Sequence, residues 1–149
     1  MSNIIRTDFD HPDFVSLVKE LDAYLAITDG DEHAFYSQYN KIDKIRYVVV
    51  FYEEGDPLGC GALKPFDAKA IEVKRMFVSV AGRNKGVASQ MLIELENWAK
   101  ELGYERCVLE TGKRQYEAIA LYHKNGYQVT PNYGQYIGVE NSVCFEKLV

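Results

Sequence analysis

Apolar residues recur at spacings of three and four over Phe14, Leu17, Val18, Leu21 and Leu25, which predicts a helix that buries one face. Asp10 is placed to cap it near His11-Pro12, and Thr28-Asp29-Gly30-Asp31 ends it. Ile4 to Asp8 reads as a short strand before it, and a weakly patterned second helix is expected from Glu32 to Asn40. The pattern then changes to apolar runs broken by turn residues: Ile45–Tyr52, Leu58–Phe66 and Ala70–Val78, separated by Glu53-Glu54-Gly55-Asp56-Pro57 and Asp67-Ala68-Lys69. Three strands joined by short loops predict an antiparallel meander. From Lys85 the helical period returns through Val87, Ala88, Met91, Leu92, Leu95, Trp98, Ala99 and Leu102, and Gly103 stops it. A strand near Arg106–Glu110, a helix near Gln115–Asn125 ended by Gly126, and strands near Tyr127–Thr130 and Val143–Leu148 complete the chain. A strand, a helix and a strand in succession imply a crossover and a local parallel pair, so the expected sheet is mixed.

The 149 residues are 47% hydrophobic and 26% charged, which fits one domain over residues 1–149 with a single core. The longest strongly apolar run, Tyr47 to Tyr52, falls far short of the ~20 residues of a membrane helix, and Met1 to Arg6 does not read as a targeting segment. Cys60, Cys107 and Cys144 are odd in number and flanked by apolar residues, as suits buried free thiols in a reducing, cytoplasmic setting. His11, His33 and His123 stand apart and no metal-ligand spacing occurs, so no metal is expected. The net charge of −5 argues against a nucleic-acid partner. Residues 1–32 hold eight acidic side chains against Arg6 and Lys19, a local charge of −6, and the remainder carries +1. An anion site is therefore expected after residue 32 and a cation-attracting surface before it.

Chemistry concentrates at Val78-Ser79-Val80-Ala81-Gly82-Arg83-Asn84-Lys85-Gly86-Val87-Ala88-Ser89, where a strand runs through a basic, glycine-containing loop into the long helix. The first turn of a helix has N–H groups without intrahelical partners and the positive end of the helix dipole, so it can hold a phosphate. Gly86 and Ala88 leave room for close approach, and Arg83 and Lys85 add charge. The alternative is that Gly82 and Gly86 only shape the turn. Neither Gly-x-x-x-x-Gly-Lys-Ser/Thr nor Gly-x-Gly-x-x-Gly is present, which argues against P-loop and dinucleotide sites.

Arg83-Asn84-Lys85-Gly86-Val87-Ala88 resembles the Arg/Gln-x-x-Gly-x-Gly/Ala loop of the GCN5-related N-acetyltransferase (GNAT) family. Glu72-Val73-Lys74-Arg75-Met76-Phe77-Val78 resembles that family's fourth strand, and Ala118-Ile119-Ala120-Leu121-Tyr122-His123-Lys124-Asn125-Gly126-Tyr127 its Ala-x-x-Leu-Tyr-x-x-x-Gly-Phe/Tyr helix. A group of bacterial, mostly uncharacterised members is similar also in Gly59-Cys60-Gly61-Ala62-Leu63-Lys64, in Leu109-Glu110-Thr111-Gly112, and in Tyr133-Gly134 with Asn141-Ser142-Val143. The resemblance implies a mixed, mostly antiparallel α/β sheet of six to seven strands flanked by about four helices, with strands four and five a splayed parallel pair.

It also implies acetyl-CoA as cosubstrate and direct acetyl transfer to a primary amine of a small molecule or peptide. By resemblance, the main chain of Met76, Phe77 and Val78 faces the pantetheine arm. Arg83, Asn84 and the main chain of Lys85, Gly86, Val87, Ala88 and Ser89 face the pyrophosphate. Gln115 stands where the family commonly has a coenzyme-contacting asparagine. Tyr122 takes the general-acid position, with a half-buried helix tyrosine as the alternative. An amine that is mostly ammonium at neutral pH needs a base, for which Glu72 is the first candidate and Glu110 the runner-up, against a simple salt bridge for Glu72. Glu110, Tyr133 and Tyr136 are placed on the acceptor side. Homodimers are common in the family. The competing reading is a regulatory protein that binds acyl-CoA without turnover.

Overall fold

The polypeptide begins with strand β1 (Ser2–Thr7) and helix α1 (Pro12–Thr28), then continues through the meander β2 (Tyr47–Glu53), β3 (Asp56–Pro65) and β4 (Ala70–Val78). Helix α2 (Val87–Glu101), β5 (Arg106–Gly112), α3 (Tyr116–Lys124), β6 (Gln128–Thr130) and β7 (Ser142–Leu148) follow. The structure, a computed structural model, describes residues 1–28 and 44–149. The helix expected over residues 32–40 lies outside the described residues. The other expected elements are all present, within two residues of their expected ends for most, and the three described helices flank one seven-stranded sheet of order β1-β2-β3-β4-β5-β7-β6.

Strand alternation explains the layers, because successive side chains point to opposite faces. Val48 and Val50 of β2 pack with Phe14, Leu17 and Val18 of α1. Val49 and Phe51, one residue out of phase, pack with Val87, Met91, Leu92, Leu95 and Ala99 of α2 on the other face. All five stripe residues of α1 are buried. Its start differs from expectation: the main-chain N–H of Asp13 donates to His11 Nδ1 at 3.2 Å, while Asp10 is engaged through its own N–H with Asp8. His11, immediately before Pro12, is thus the side chain that receives an unpaired amide of the first turn. The hairpin joining β2 to β3 turns on Glu54 (φ 51°) and Gly55 (φ 84°), between the paired Glu53 and Asp56. Two successive positive φ angles match the twist of the flanking strands.

The feature that positions the site is an irregularity in β4. Cys60 pairs with Phe77 and Ala62 with Lys74, so Gly61 alone on β3 opposes both Arg75 and Met76. Arg75 is the extra residue in effect, with φ at +60°. Such a bulge bends the strand and re-aims its side chains. On its other side β4 runs parallel to β5 for three rungs only, Ala70 with Arg106, Ile71 with Cys107 and Glu72 with Val108. Among the described residues, no strand pairs with β4 on that side beyond Glu72. β5 itself continues fully paired to β7 through Gly112, so it is β4 and β5 that part.

Gly61 is needed at the bulge because a Cβ there would lie 2.6 Å from Met76 Sδ and 3.0 Å from Leu95 Cδ1. Gly61→Ala is expected to lower stability by ~1–3 kcal/mol through overpacking, as read from the urea midpoint at an unchanged slope.

Candidate active site

The loop from β4 to α2 is folded by two glycines with different tasks. A Cβ on Gly82 would meet Leu58 Cβ and Val78 Cγ1 at 3.0 Å, so this residue permits close packing of the loop on β3. Gly86 is the N-cap of α2 at φ +76° and faces open space, its nearest neighbour being Gln90 Nε2 at 4.0 Å. No side chain caps the helix. Its first-turn N–H groups are therefore left for a ligand or water. Asn125 of the α3 terminus donates from Nδ2 to Ser89 Oγ at 3.1 Å, which ties the end of α3 to the start of α2.

Between these helices and the free side of β4 lies a cleft of about 450 Å³. It brings together Met76, Phe77, Val78, Arg83, Asn84, Gly86, Val87, Ala88, Ser89, Gln115 and Tyr122, eleven of the twelve residues expected at the coenzyme and acid positions. Lys85 is the exception. Its Nζ sits 3.4 Å from Glu53 Oε1 on the β2–β3 hairpin, and its side chain does not line the cleft. Arg83 lines it but folds back, donating from Nε to the Val78 carbonyl at 3.2 Å. Lys113 and Arg114 stay outside the lining. Tyr24, from the acidic first helix, lies on the opposite wall with its ring 5.9 Å from the Arg83 guanidinium.

A second, smaller cavity of about 80 Å³ adjoins the cleft, and Leu21, Met76, Gln115 and Tyr122 line both. Its remaining polar wall is Glu72, Lys74, Arg75, Glu110, Thr111 and Tyr136. Glu72 and Lys74 share one face of β4, and Glu110 shares a face with Val108, the residue paired with Glu72. The two candidate bases thus stand on neighbouring strands across the parting. Glu72 is 6% exposed, accepts a hydrogen bond from Tyr133 Oη at 2.6 Å, and has Lys74 Nζ 3.9 Å from its other oxygen. Tyr133 therefore touches the candidate base rather than lining the cavity. Glu110 accepts from Ser142 Oγ at 2.6 Å.

Burial sets the proton affinities. Tyr122 is held above the ordinary tyrosine range by desolvation, with the negative charge of Glu110 adding to it. Tyr133 and Tyr136 are raised for the same first reason, then by Glu72 and Glu110 respectively. Lys74 is lowered by burial against the opposing pull of Glu72. The thiols of Cys60 and Cys107 are pushed up to about 12 and that of Cys144 to about 11, again by burial, so they are poor nucleophiles at neutral pH.

Lys74, Arg75 and Thr111 were not expected at the site, and Leu21 and Leu25 were expected as part of the buried stripe of α1. Lys74 carried a signal, since it follows Glu72 by two residues in a strand and must share its face. Arg75 carried none, because its place depends on the bulge.

Residues 14–127 match the model of the acetyltransferase (GNAT) family. The chain is 42% identical over 97 residues to the uncharacterised N-acetyltransferase YsnE of Bacillus subtilis, a match that covers 63% of this chain and 64% of that protein. It is 34% identical over 136 residues to the IAA acetyltransferase of Azospirillum brasilense, covering 89% and 88%. A crystal structure described as an acyl-CoA N-acyltransferase of Klebsiella pneumoniae superposes with a TM-score of 0.83 at 25% identity, over 99% of this chain and 97% of that one. The chain belongs to the acetyltransferase (GNAT) family and is an acetyl-CoA-dependent N-acetyltransferase.

Gly86→Glu places a carboxylate at the uncapped helix start, where the main chain is positive. Acetyl-CoA affinity is expected to fall by about tenfold or more by calorimetry, with circular dichroism checking that the fold survives the strain of a positive φ.

Proposed function

We propose that this chain moves an acetyl group directly from acetyl-CoA to a primary amine that enters the smaller cavity, without an acyl-enzyme. The observation that carries the reading is the meeting of two cavities on Tyr122, one lined by the uncapped start of α2 and the other by two carboxylates. Acetyl-CoA supplies the thioester whose carbonyl is attacked. The residues present fit it: the first turn of α2 suits the pyrophosphate, and the unpaired side of β4 offers main-chain groups over Val73–Val78 to an extended arm. An N–H on that edge also stabilises negative charge on a carbonyl oxygen held against it.

Glu72 takes the proton that the amine must lose, directly or through water, with Tyr133 holding its carboxylate in place at 2.6 Å. Glu110 is the second candidate. Tyr122 delivers a proton to the departing sulfur. A thiol with a pKa near ~8.5 is already a fair leaving group, so this step contributes less than acid catalysis does for worse ones. The cysteines take no part. Three buried free thiols also support a reducing compartment such as the cytoplasm, and no described helix is long and apolar enough to cross a membrane.

Tyr122→Phe is expected to lower kcat on the order of 100-fold, the low end for general acids, and to leave acetyl-CoA affinity unchanged. Because the Tyr122 pKa is raised, its protonated form persists above pH 10, so wild-type kcat should rise as the amine loses its proton and show no fall near pH 10 from this group. A variant that turns over like wild type across the pH range removes the role.

Glu72→Gln is expected to lower kcat and to alter the acidic limb of the pH profile in steady-state assays. An unchanged profile transfers the base to Glu110.

A further inference from the structure

Arg75 stands out in the smaller cavity. Its side chain is 2% exposed, and Nη1 donates to Asp22 Oδ1 of α1 at 3.0 Å. The other two nitrogens, Nε and Nη2, are buried with no hydrogen-bond partner, and they are the only such side-chain atoms among the described residues. Buried donors of a charged group are costly to leave unpaired, and folded proteins rarely do so without a functional reason. The two nitrogens are also not an arbitrary pair. In a guanidinium, Nε–H and Nη2–H lie parallel on one edge and form the fork that takes both oxygens of a carboxylate. Asp22 occupies the opposite nitrogen and holds the group in place.

Position supports the same reading. Arg75 is held by the bulge at φ +60°, on the strand that carries Glu72 three residues earlier, and both line the cavity that Tyr122 closes toward the coenzyme cleft. About 80 Å³ is room for roughly five to eight water-sized groups, the size of a small amino acid. The charged groups that line the cavity or touch Arg75 are Asp22, Glu72, Glu110 and Lys74, and Lys64, paired across from Glu72, adds a further cation at its margin. This setting holds charges of both signs. It suits a molecule that brings its own positive amine to the glutamates and its negative end to the arginine.

We infer that the acceptor is a small zwitterionic amine, an amino acid or close analogue, whose carboxylate is bound by the Nε–Nη2 edge of Arg75 while its amine faces Glu72 and Glu110. Arg75 is then a specificity-determining residue. The inference rests on the acetyltransferase reading above.

The test compares free amino acids with their carboxamides as acceptors, by CoA release, and titrates acetyl-CoA in parallel by calorimetry. Free carboxylates should give kcat/KM higher by about tenfold or more, because a site built to pair a polar group rejects analogues that leave it unpaired. Arg75→Lys keeps the charge and loses the fork. It should raise KM for free amino acids by about tenfold more than KM for the carboxamides, and so erase the preference for the carboxylate. Should that variant fold poorly, wild-type binding of N-acetyl amino acids against N-acetyl carboxamides, in the presence of CoA, decides the matter by the same ratio. Acetyl-CoA binding with no preference for the carboxylate in either turnover or product binding overturns this inference and spares the enzyme reading. No acetyl-CoA binding overturns both.

Discussion

The parting of β4 from β5 after three rungs is the constraint on which the rest of this molecule depends. A strand inside a protein must find partners for its main-chain donors and acceptors, because leaving them buried and unpaired costs as much as a lost hydrogen bond. β4 satisfies this on its β3 side by absorbing a bulge at Arg75 and Met76, and it leaves the other side open beyond Glu72. An extended ligand can complete the sheet there as an added strand would. The helices are placed to serve the same opening: α2 begins at its mouth with an uncapped first turn, and α3 is tied to that turn through Asn125 and Ser89.

The parting also determines how charge is handled. Glu72, Lys74, Arg75 and Glu110 are brought into one small cavity, where water is scarce and each charge must be compensated locally. Glu72 is compensated by Tyr133 and Lys74, and Glu110 by Ser142 among its partners. The same desolvation lowers Lys74 and raises Tyr122, Tyr133 and Tyr136. A surface array of the same groups would be screened by solvent and exert little directional force.

The amphipathic periods of α1 and α2, the apolar run of β2 and the turn at Glu54-Gly55 are local signals: each helix buries one face and β2 buries both, so the burial is written in the apolar pattern. The Gly86 loop and the Tyr122 helix were legible for another reason: their residue types and spacing resemble the family's motifs, and the structure brings both to one cleft. What was not legible depends on tertiary register. Nothing in Glu72-Val73-Lys74-Arg75-Met76 shows that one residue is bulged, and without the bulge strict alternation would send Arg75 to the face opposite Lys74. Lys85 shows the converse limit. Its position in the loop suggested positive charge at the cleft, yet Glu53 on a hairpin distant in sequence offers the ammonium a nearer partner. His11 replaced Asp10 at the start of α1 for a local cause, since it alone directly precedes the proline that opens the helix.

On the proposed mechanism, the two faces of the sheet carry opposite halves of the chemistry. Lys74 pairs with Ala62, which belongs to the layer packed on α1, so Glu72 and Lys74 face that side. Tyr122 belongs to the layer packed on α2, against Tyr127 and Phe145. A continuous sheet would keep the group proposed to accept the amine proton and the group proposed to supply the thiolate proton apart, because strands 4.7–4.9 Å from one another leave no passage. Beyond Glu72 there is no such barrier, and this is where Met76 and Tyr122 line both cavities. In the proposed function, the opening that takes the coenzyme arm is thus also the route by which an amine on one face would meet a thioester served from the other. One proton donor and one proton acceptor can then be buried in environments tuned separately, neither weakening the other by direct contact.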